Sequence, residues 1–434
     1  MDYCNHSLAR PESQGARPPW LLFLFLSAVF FFIYHDLIFS TKGIDNLSAE
    51  ELNALVLDST PTRRIALLAL GFFAIFSLIR HRSDSRMQFN GFLGWMLLAW
   101  TAWAFISPIW AEDPALTIRR LLGFGILCLA AVALARRFSL REIILWSVFS
   151  AALFLAIGFL ADVLLGIFRP FASGYRFAGL LHPNGQGVDC GLLVLSGMAA
   201  ADLEKHRRKI FWALALLGFV FLFLTASRTA FASTLLACAV YSSAAWSSRT
   251  KIAMVYVLSI LFCVVLVVLV NISLPGLRSA VVLAREDDSG ADSFNGRTEI
   301  WEDVSAYIQK RPLLGYGYGG FWTPTHMTEI SDAENWTVPN SHSAYLEYLL
   351  GLGAVGLVAY TLLLCVGIRR AFRFRRLSRN SAFAFCGALL VYAASVGLLE
   401  ATPAELTLLM FLSMVVLVQL AFVCRPELTT SVSQ

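Results

Sequence analysis

About twelve long apolar runs constrain the fold of this chain more than any other feature. A helix that crosses a membrane needs roughly 20 mostly apolar residues. Apolar residues make up 58% of the 434 residues and charged residues only 15%, whereas soluble domains carry roughly 25% charged residues. The runs lie at residues 20–40, 62–79, 91–110, 121–135, 143–168, 186–201, 210–226, 229–246, 252–270, 344–367, 381–399 and 404–423. We therefore predict an all-α polytopic membrane protein with about 12 transmembrane helices, embedded in a lipid bilayer.

Basic residues recur in alternate connections, and this pattern predicts the orientation of the chain. Lys and Arg are enriched in cytoplasmic connections. The most basic connection, residues 369–379, contains six arginines. Residues 45–58 and 271–341 are acidic or mixed and are expected on the outer side, so both termini lie in the cytoplasm. This topology explains the net charge of +5, which therefore indicates no nucleic-acid partner.

One outer connection, residues 271–341, is far longer than the others. Within it, residues 297–309 carry apolar side chains at helical spacing, which predicts an amphipathic helix. Residues 315–322 alternate glycine with aromatic residues and predict a turn. Long loops in compact proteins are usually functional or disordered. The aromatic residues favour a packed cap over the membrane surface, and an interfacial aromatic belt is the alternative.

Two isolated arginines are predicted on this outer side. Arg228 lies in a very short joint between two apolar runs, where a charge close to the membrane interior is costly and usually functional. The alternative is that its side chain merely extends to the interface. Arg297 begins the amphipathic helix, where a cation opposes the helix dipole. That position is favourable if the guanidinium and the free backbone N–H groups face a bound anion, and an ordinary surface arginine is the alternative.

His342 directly precedes an apolar run and is the main candidate for a titratable base on the outer side. A capping or packing histidine is the alternative. Gly353 and Gly356 follow in the same run, and small residues at this spacing predict close packing against a neighbouring helix. Such packing would fix the histidine. Glu347 is an acid inside the apolar run, which is a costly placement; the alternative is a helix-end carboxylate paired with a neighbouring arginine.

Two further outer residues, Arg176 and His182, precede the run at 186–201. Arg176 is a candidate for a third anion contact and His182 for a rival base, with purely structural loop roles as the alternative. No cysteine or histidine spacing typical of a zinc site or a disulfide framework occurs. We therefore expect no metal and no cofactor.

Three motifs on the outer side carry a family resemblance. They are Ser227-Arg228-Thr229, Gly296-Arg297-Thr298-x-x-Trp301, and His342-Ser343-x9-Gly353-x-x-Gly356. In this order and topology, the chain resembles the bacterial O-antigen ligase and Wzy-type polysaccharide polymerase superfamily. The resemblance implies a GT-C-like membrane glycosyltransferase, with its active site at the periplasmic face of the bacterial inner membrane. It also implies a glycan donor linked to undecaprenyl pyrophosphate, and activity without a metal ion or a nucleotide sugar.

The resemblance assigns roles to individual residues. Arg228 and Arg297 become the pyrophosphate-binding cations, since arginine stays charged and can bind phosphate oxygens bidentately. His342 becomes the general base for the acceptor hydroxyl, because a neutral histidine with a pKa of about 6.5 can take a proton at neutral pH. Attack opposite the leaving pyrophosphate would invert the anomeric centre. Arg176, His182 and Glu347 are possible additional site residues.

The resemblance leaves the acceptor open. A polymerase extends another lipid-linked glycan repeat, a ligase uses lipid A-core, and a protein glycosyltransferase uses Ser or Thr. The glycine-aromatic segment at 315–322 looks more like exopolysaccharide polymerases, so we favour polymerisation. Outside enzymes, the alternative is a lipid-linked glycan flippase or transporter. Transporters tend to place charges near the bilayer midplane in repeated halves, whereas here the charges cluster at one face and no repeat is evident.

These predictions divide the chain into five segments. They are a cytoplasmic N-terminal tail (1–19), transmembrane helices 1–9 (20–270), the long periplasmic loop with its amphipathic helix (271–341), transmembrane helices 10–12 (342–423) and a cytoplasmic tail (424–434).

Overall fold

The computed structural model describes residues 18–35, 60–80, 91–172, 174–244, 297–334 and 338–424, and every regular element in this part of the chain is helical. The α-helices are α1 (Trp20–Tyr34), α2 (Pro61–Arg80), α3 (Phe92–Ile106), α4 (Pro114–Arg137), α5 (Leu140–Leu164), α6 (Pro183–Leu203), α7 (Arg208–Leu224), α8 (Arg228–Ser243), α9 (Arg297–Lys310), α10 (Pro324–Glu334), α11 (Ala344–Ser378), α12 (Ala382–Val396) and α13 (Leu408–Val418). The apolar run predicted at 252–270 lies outside the described residues, as do most of both predicted tails.

Among the described residues, 5 helices are long and apolar enough to cross a membrane. They are Pro61–Arg80, Phe92–Ile109, Pro114–Arg137, Leu140–Leu164 and Ala344–Ser378, and shorter apolar helices occupy Trp20–Tyr34, Ala382–Val396 and Leu408–Val423. Apart from the run at 252–270, every predicted apolar run falls on a helix. The predicted class, an all-helical polytopic membrane protein, is confirmed for this part of the chain. The number of spans stays a prediction.

Helix α11 extends beyond the apolar run predicted at 344–367. Residues 369–379 were expected to connect two spans, but α11 continues through them to Ser378. Arg379 then takes a left-handed φ of 55° and ends the helix. The arginines of this segment therefore lie on the last turns of α11. Cations are favourable there, since the C-terminal end of a helix carries partial negative charge.

Local capping signals set the starts of two central helices. The side chain of Asp113 accepts a hydrogen bond from the Leu116 N–H at 2.9 Å, and Pro114 occupies the first position of α4. Ser139 and Glu142 form a reciprocal capping box at the start of α5. Each cap satisfies backbone N–H groups that have no partner inside the helix. The polar residues between apolar runs therefore define where these helices begin.

Helix α6 lies at the centre of the bundle and contacts α5, α7, α8, α12 and α13. The small residues of α6 allow these neighbouring helices to pack closely against it. A Cβ at Gly191 would lie 2.2 Å from Thr234 Oγ1 and 2.3 Å from the Tyr392 hydroxyl oxygen. That hydroxyl donates to the Val188 carbonyl at 2.9 Å. Small residues and interhelical hydrogen bonds are the usual means of association between membrane helices, so the N-terminal half of α6 has a fixed position.

Residues 297–334 form a cap on one end of the bundle, made of α9, α10 and the turn between them. The helix predicted at 297–309 is confirmed as α9. One apolar cluster holds the cap together and contains Ile300, Val304, Tyr316, Phe321, Trp322, Met327, Ile330, Val338 and Leu350. Leu350 belongs to α11, so this cluster also joins the cap to the bundle. The glycine-aromatic segment is packed between the cap and the bundle: Tyr316, Phe321 and Trp322 are buried in the cap cluster, and Tyr318 is buried against Phe124 of α4 at a ring distance of 4.7 Å.

Gly353 interrupts α11 where the cap approaches it. Its φ of 67° lies in the left-handed region, which favours glycine. A Cβ at this position would lie 2.1 Å from the Leu313 carbonyl oxygen. A Cβ at Gly356 would meet the Leu352 side chain of the same helix at 2.2 Å. The prediction that these glycines pack α11 against another helix is therefore wrong, because Gly353 admits the backbone of the cap.

Candidate functional site

His342 lies just before α11 in a strained backbone conformation. Its φ of 53° is left-handed, which is uncommon for a residue with a side chain and is often found at functional sites. Its backbone N–H donates to Asn340 Oδ1 at 2.9 Å, and Asn340 Nδ2 donates to Glu405 Oε1 at 2.9 Å. The helix proper begins at Ala344, after the extended residue Ser343. The half-buried imidazole is thus carried by a well-braced segment.

Glu347 braces the residue next to His342. Its Oε1 accepts the Ser341 N–H at 2.7 Å, and its two oxygens accept the Trp322 indole N–H at 3.0 and 2.9 Å. The indole of Trp301 donates to the Ser341 carbonyl at 2.9 Å. Both polar groups of the Ser341 backbone are therefore held from the cap and from α11. Glu347 thus connects the Ser341 backbone on one side to the Trp322 indole of the cap on the other.

Arg297 meets a buried carboxylate. Its Nη2 donates to Glu400 Oε1 at 2.8 Å, and the two side chains are only 11% and 7% exposed. The same oxygen accepts a hydrogen bond from Asn184 Nδ2 at 2.9 Å. An anion was expected opposite the start of α9. In the structure this anion is supplied from within the protein, by Glu400.

Arg176 and His182 belong to the same cluster. Arg176 donates from Nη2 to Asn184 Oδ1 at 2.7 Å and from Nε to the Thr225 carbonyl at 3.0 Å. His182 caps α6, since its Nδ1 accepts the Asn184 N–H at 3.3 Å. A ring nitrogen that accepts a hydrogen bond carries no proton. The contact thus supports a capping role for His182, while Arg176 lies with the other cations.

Arg228 is the first residue of α8, directly after the capping residue Ser227. This joint packs against the first turn of α6, because a Cβ at Gly187 would lie 3.0 Å from Ser227 Cβ. Thr225, whose carbonyl accepts from Arg176 at 3.0 Å, is part of the same joint. The joint that carries Arg228 therefore lies beside the backbone that Arg176 bonds.

Four helices, α6, α8, α9 and α11, begin around this cluster. Asn184 in α6 and Arg297 in α9 both donate to the side chain of Glu400, and the Ala344 N–H of α11 donates to its carbonyl at 3.1 Å. Each helix N-terminus carries roughly half a positive charge, even where capping groups bond some of its N–H groups. Together with the arginines, these helix starts favour a ligand with several anionic oxygens.

The surroundings keep the His342 imidazole neutral. Desolvation, with contributions from the charges of Arg297 and His182, lowers the pKa of His342 to about 3. The ring is thus unprotonated at neutral pH, as a general base must be. These charge effects also mean that Arg297 and His342 lie within electrostatic range of each other. An anion bound at Arg297 would raise the pKa of the ring and so make it a stronger base.

Sequence reasoning missed two residues of the cluster, Glu400 and Asn184. Burial raises the pKa of the Glu400 carboxyl, and the Arg297 guanidinium at 2.8 Å opposes that shift and favours the charged form. The one available signal was an acid close to the end of an apolar run, a costly placement. Asn184 gave no signal beyond its place in the loop before α6.

Within the described ranges, no group of three or more His, Cys, Asp or Glu side chains is arranged to hold a metal ion.

The fold and the site define a polytopic, all-helical membrane protein whose charged residues converge on a cluster of helix N-termini beside a capped end. Residues 213–361 match the family model Wzy_C, described as O-antigen ligase. The match covers about a third of the chain and includes Arg228, Arg297 and His342. This match supports the resemblance to the O-antigen ligase and Wzy-type superfamily that the motifs predicted. No curated protein matches the chain significantly.

Proposed function

We propose that this chain is a membrane glycosyltransferase that transfers a glycan from undecaprenyl pyrophosphate to an acceptor hydroxyl. The reaction takes place at the periplasmic face of the bacterial inner membrane, and the capped end is that face. The observation that supports this most is the pairing of a neutral imidazole, His342, with the guanidinium of Arg297 across a single buried cluster. A base beside fixed cations suits a reaction in which a hydroxyl attacks the anomeric carbon of a sugar and the leaving group departs as an anion.

The arginines bind the donor. Arg297 and Arg228 contact the pyrophosphate oxygens, with Arg176 as a third contact. Guanidinium groups stay charged and match phosphate geometry with two parallel hydrogen bonds. The helix starts at α8 and α9 add backbone N–H groups and partial positive charge. These fixed charges stabilise the negative charge that grows on the pyrophosphate as the glycosidic bond breaks.

His342 activates the acceptor. Its imidazole takes the proton of the acceptor hydroxyl as the hydroxyl oxygen forms a bond to the anomeric carbon. On the opposite side, the bond between that carbon and the pyrophosphate oxygen breaks, and its electron pair leaves with undecaprenyl pyrophosphate. Attack from the face opposite the leaving group inverts the anomeric centre. The reaction needs no metal ion, so activity is expected to persist in excess chelator.

Two acceptors remain in consideration. The packed glycine-aromatic segment of the cap favours another lipid-linked glycan, and so polymerisation of exopolysaccharide or O-antigen repeats. The description of the matching family as O-antigen ligase favours lipid A-core. Both acceptors use the same base and the same donor site, so the chemistry proposed for His342 and the arginines is common to both.

The test is a reconstituted reaction. The purified chain in lipid nanodiscs receives a defined undecaprenyl-pyrophosphate-linked repeat, with either the same lipid-linked repeat or lipid A-core as acceptor, and products are identified by mass. We expect elongated lipid-linked glycan with release of undecaprenyl pyrophosphate. Transfer only to lipid A-core would identify a ligase. Movement of the intact donor between leaflets, with no new glycosidic bond, would identify a flippase and overturn the proposal.

A further inference from the structure

A continuous, partly buried hydrogen-bonded chain links the two arginines Arg176 and Arg297 through Asn184 and Glu400. Arg176 Nη2 donates to Asn184 Oδ1 at 2.7 Å, Asn184 Nδ2 donates to Glu400 Oε1 at 2.9 Å, and Arg297 Nη2 donates to the same oxygen at 2.8 Å. Arg176 and Asn184 are 8 residues apart, whereas Arg297 and Glu400 come from distant parts of the sequence. One carboxylate oxygen therefore sets the relative positions of two cations.

The segment that carries Glu400 is also tied to the segment that carries His342. The Ala344 N–H donates to the Gly397 carbonyl at 2.9 Å and to the Glu400 carbonyl at 3.1 Å. The Ser343 hydroxyl donates to the Gly397 carbonyl at 3.3 Å. Glu400 is thus anchored beside the start of α11, and its side chain holds the arginines at a set separation from the imidazole.

The Arg297–Glu400 pair leaves part of the guanidinium for a ligand. Within the described part of the chain, the hydrogen bonds of Arg297 use Nη2 alone. A guanidinium has five N–H donors in a planar fork, so a phosphate bound by Arg297 would be met by Nε and Nη1 and not by the Nη2 that bonds Glu400. A buried ion pair adds little net stability by itself. Stabilisation of the fold is therefore a weak explanation for the Arg297–Glu400 pair.

Charge and geometry have opposite effects on the donor. Among the described residues, Glu400 is the carboxylate that hydrogen-bonds the cluster of Arg176, Asn184 and Arg297. It faces the place proposed for the anionic diphosphate. Its negative charge weakens diphosphate binding, whereas the geometry it imposes favours a defined pose. Such a residue prevents the cations from retaining the product.

We propose that Glu400 is the internal counter-anion of the donor site. Glu400 holds Arg297 in place directly and Arg176 through Asn184. Its charge also limits the affinity of the site for diphosphate, so that the product is released. This inference rests on the proposed function, because it takes the diphosphate of the donor as the ligand. Glu400 acts through the arginines and is a positioning residue.

The test measures diphosphate affinity and turnover separately in the full-length protein. Farnesyl diphosphate is the binding probe, and the lipid-linked repeat is the substrate for turnover. Glu400→Gln keeps the shape and a hydrogen-bond acceptor but removes the charge. We expect it to bind the probe on the order of tenfold more tightly and to lower both kcat and KM, because product release becomes slow. A merely structural residue would raise KM or leave the affinity unchanged, and either result overturns the inference.

Asn184→Ala provides an independent second arm. It leaves the charges intact but breaks the link to Arg176, so we expect weaker probe binding, and little further loss when Arg176→Ala is added. Fully additive effects of Asn184→Ala and Arg176→Ala would overturn the link, even if Glu400→Gln fails to fold. Glu204→Gln is the matched control, since Glu204 pairs with Arg141 at the far end of α6.

Failure of the inference and failure of the proposed function give different results. If the wild-type protein does not bind the probe, or if Arg297→Ala binds it as tightly as the wild type, both proposals fall. If Arg297→Ala weakens binding and Glu400→Gln does not strengthen it, the donor site stands and only the counter-anion role is rejected.

Discussion

Trp322 in the cap donates its indole N–H to both carboxylate oxygens of Glu347 on α11, at 3.0 and 2.9 Å. Since Glu347 Oε1 also accepts the Ser341 N–H at 2.7 Å, one carboxylate connects the cap, the helix and the residue preceding His342. The position of the imidazole therefore depends on the cap being docked.

Glu347→Ala should lower kcat by roughly 10–100-fold while the affinity for the diphosphate probe stays within about twofold, because a small displacement of a reacting group is costly in rate. Steady-state kinetics and probe titration measure the two effects. The control is Glu329→Ala, which also removes a carboxylate bonded to an aromatic residue of the cap, Tyr307. Equal losses in both variants would mean that Glu347 only stabilises the cap.

His342→Ala should lower turnover by about 10²–10⁴-fold, the usual contribution of a general base, with donor binding retained. The measurement is single-turnover transfer with saturating donor. His206→Ala removes an exposed histidine near the far end of α6 and should leave the rate unchanged. Wild-type turnover in His342→Ala would remove this residue from the mechanism.

Arg228→Ala and Arg297→Ala should each weaken donor binding by at least about tenfold, and the lysine variants should recover only part of it, because lysine cannot form the bidentate contact. Binding of farnesyl diphosphate in nanodiscs measures the effect. Arg169→Ala, an exposed arginine whose side chain bonds only the Gly166 carbonyl among the described residues, is the control. Unchanged affinity in both site variants would reject the assignment of the arginines to the donor.

The pKa of His342 predicts a pH dependence of stability. The folded-state pKa is about 3, below the ordinary value of 6.5, so protonation favours the unfolded chain. The stability due to the neutral ring is complete above pH 6.5 and is lost progressively as the pH falls toward 3. Between pH 7 and pH 5, the melting temperature of the wild type should fall by roughly 1–4 °C more than that of His342→Gln. Parallel curves for the two proteins would contradict the lowered pKa.

Gly353→Ala should loosen the cap, because the new Cβ would lie 2.1 Å from the Leu313 carbonyl oxygen. Gly166→Ala is the matched control, since Gly166 has a similar φ of 69° with nothing within 4 Å of its ideal Cβ. Both variants carry the cost of a left-handed alanine, so their difference isolates the clash. We expect Gly353→Ala to melt roughly 3–6 °C lower than Gly166→Ala and to be cleaved faster by protease within the cap. Equal melting temperatures would show that the cap does not need the close contact between Gly353 and the Leu313 carbonyl.

Much of the fold could be predicted because the bilayer restricts what a chain can do. Backbone groups in lipid must be satisfied within a helix, so the length of an apolar run predicts a helix, as it does for residues 143–168 and α5. The same reasoning does not locate the end of α11, which continues past the apolar run to Ser378. Arginine is a good helix former, so the charges at 369–376 mark the edge of the apolar region and do not end the helix.

The site could be predicted only in part. Arg228, Arg297 and His342 stand out locally, as charged or titratable residues beside apolar runs. Glu400 lies 103 residues from Arg297 and 216 residues from Asn184 along the chain, and no local pattern indicates such pairings. The left-handed backbone of His342 is equally invisible, because it results from bonds to Asn340 and from the bracing of Ser341.

Helix α9 carries both Arg297, which bonds Glu400, and Trp301, which bonds the Ser341 carbonyl. These two side chains are four residues apart and so lie on the same face. A rotation or shift of this one helix would move the donor cation and the support of the base together. Under the proposed function, recognition of the leaving group and activation of the acceptor are therefore mechanically coupled, and a substitution that tunes one is expected to disturb the other.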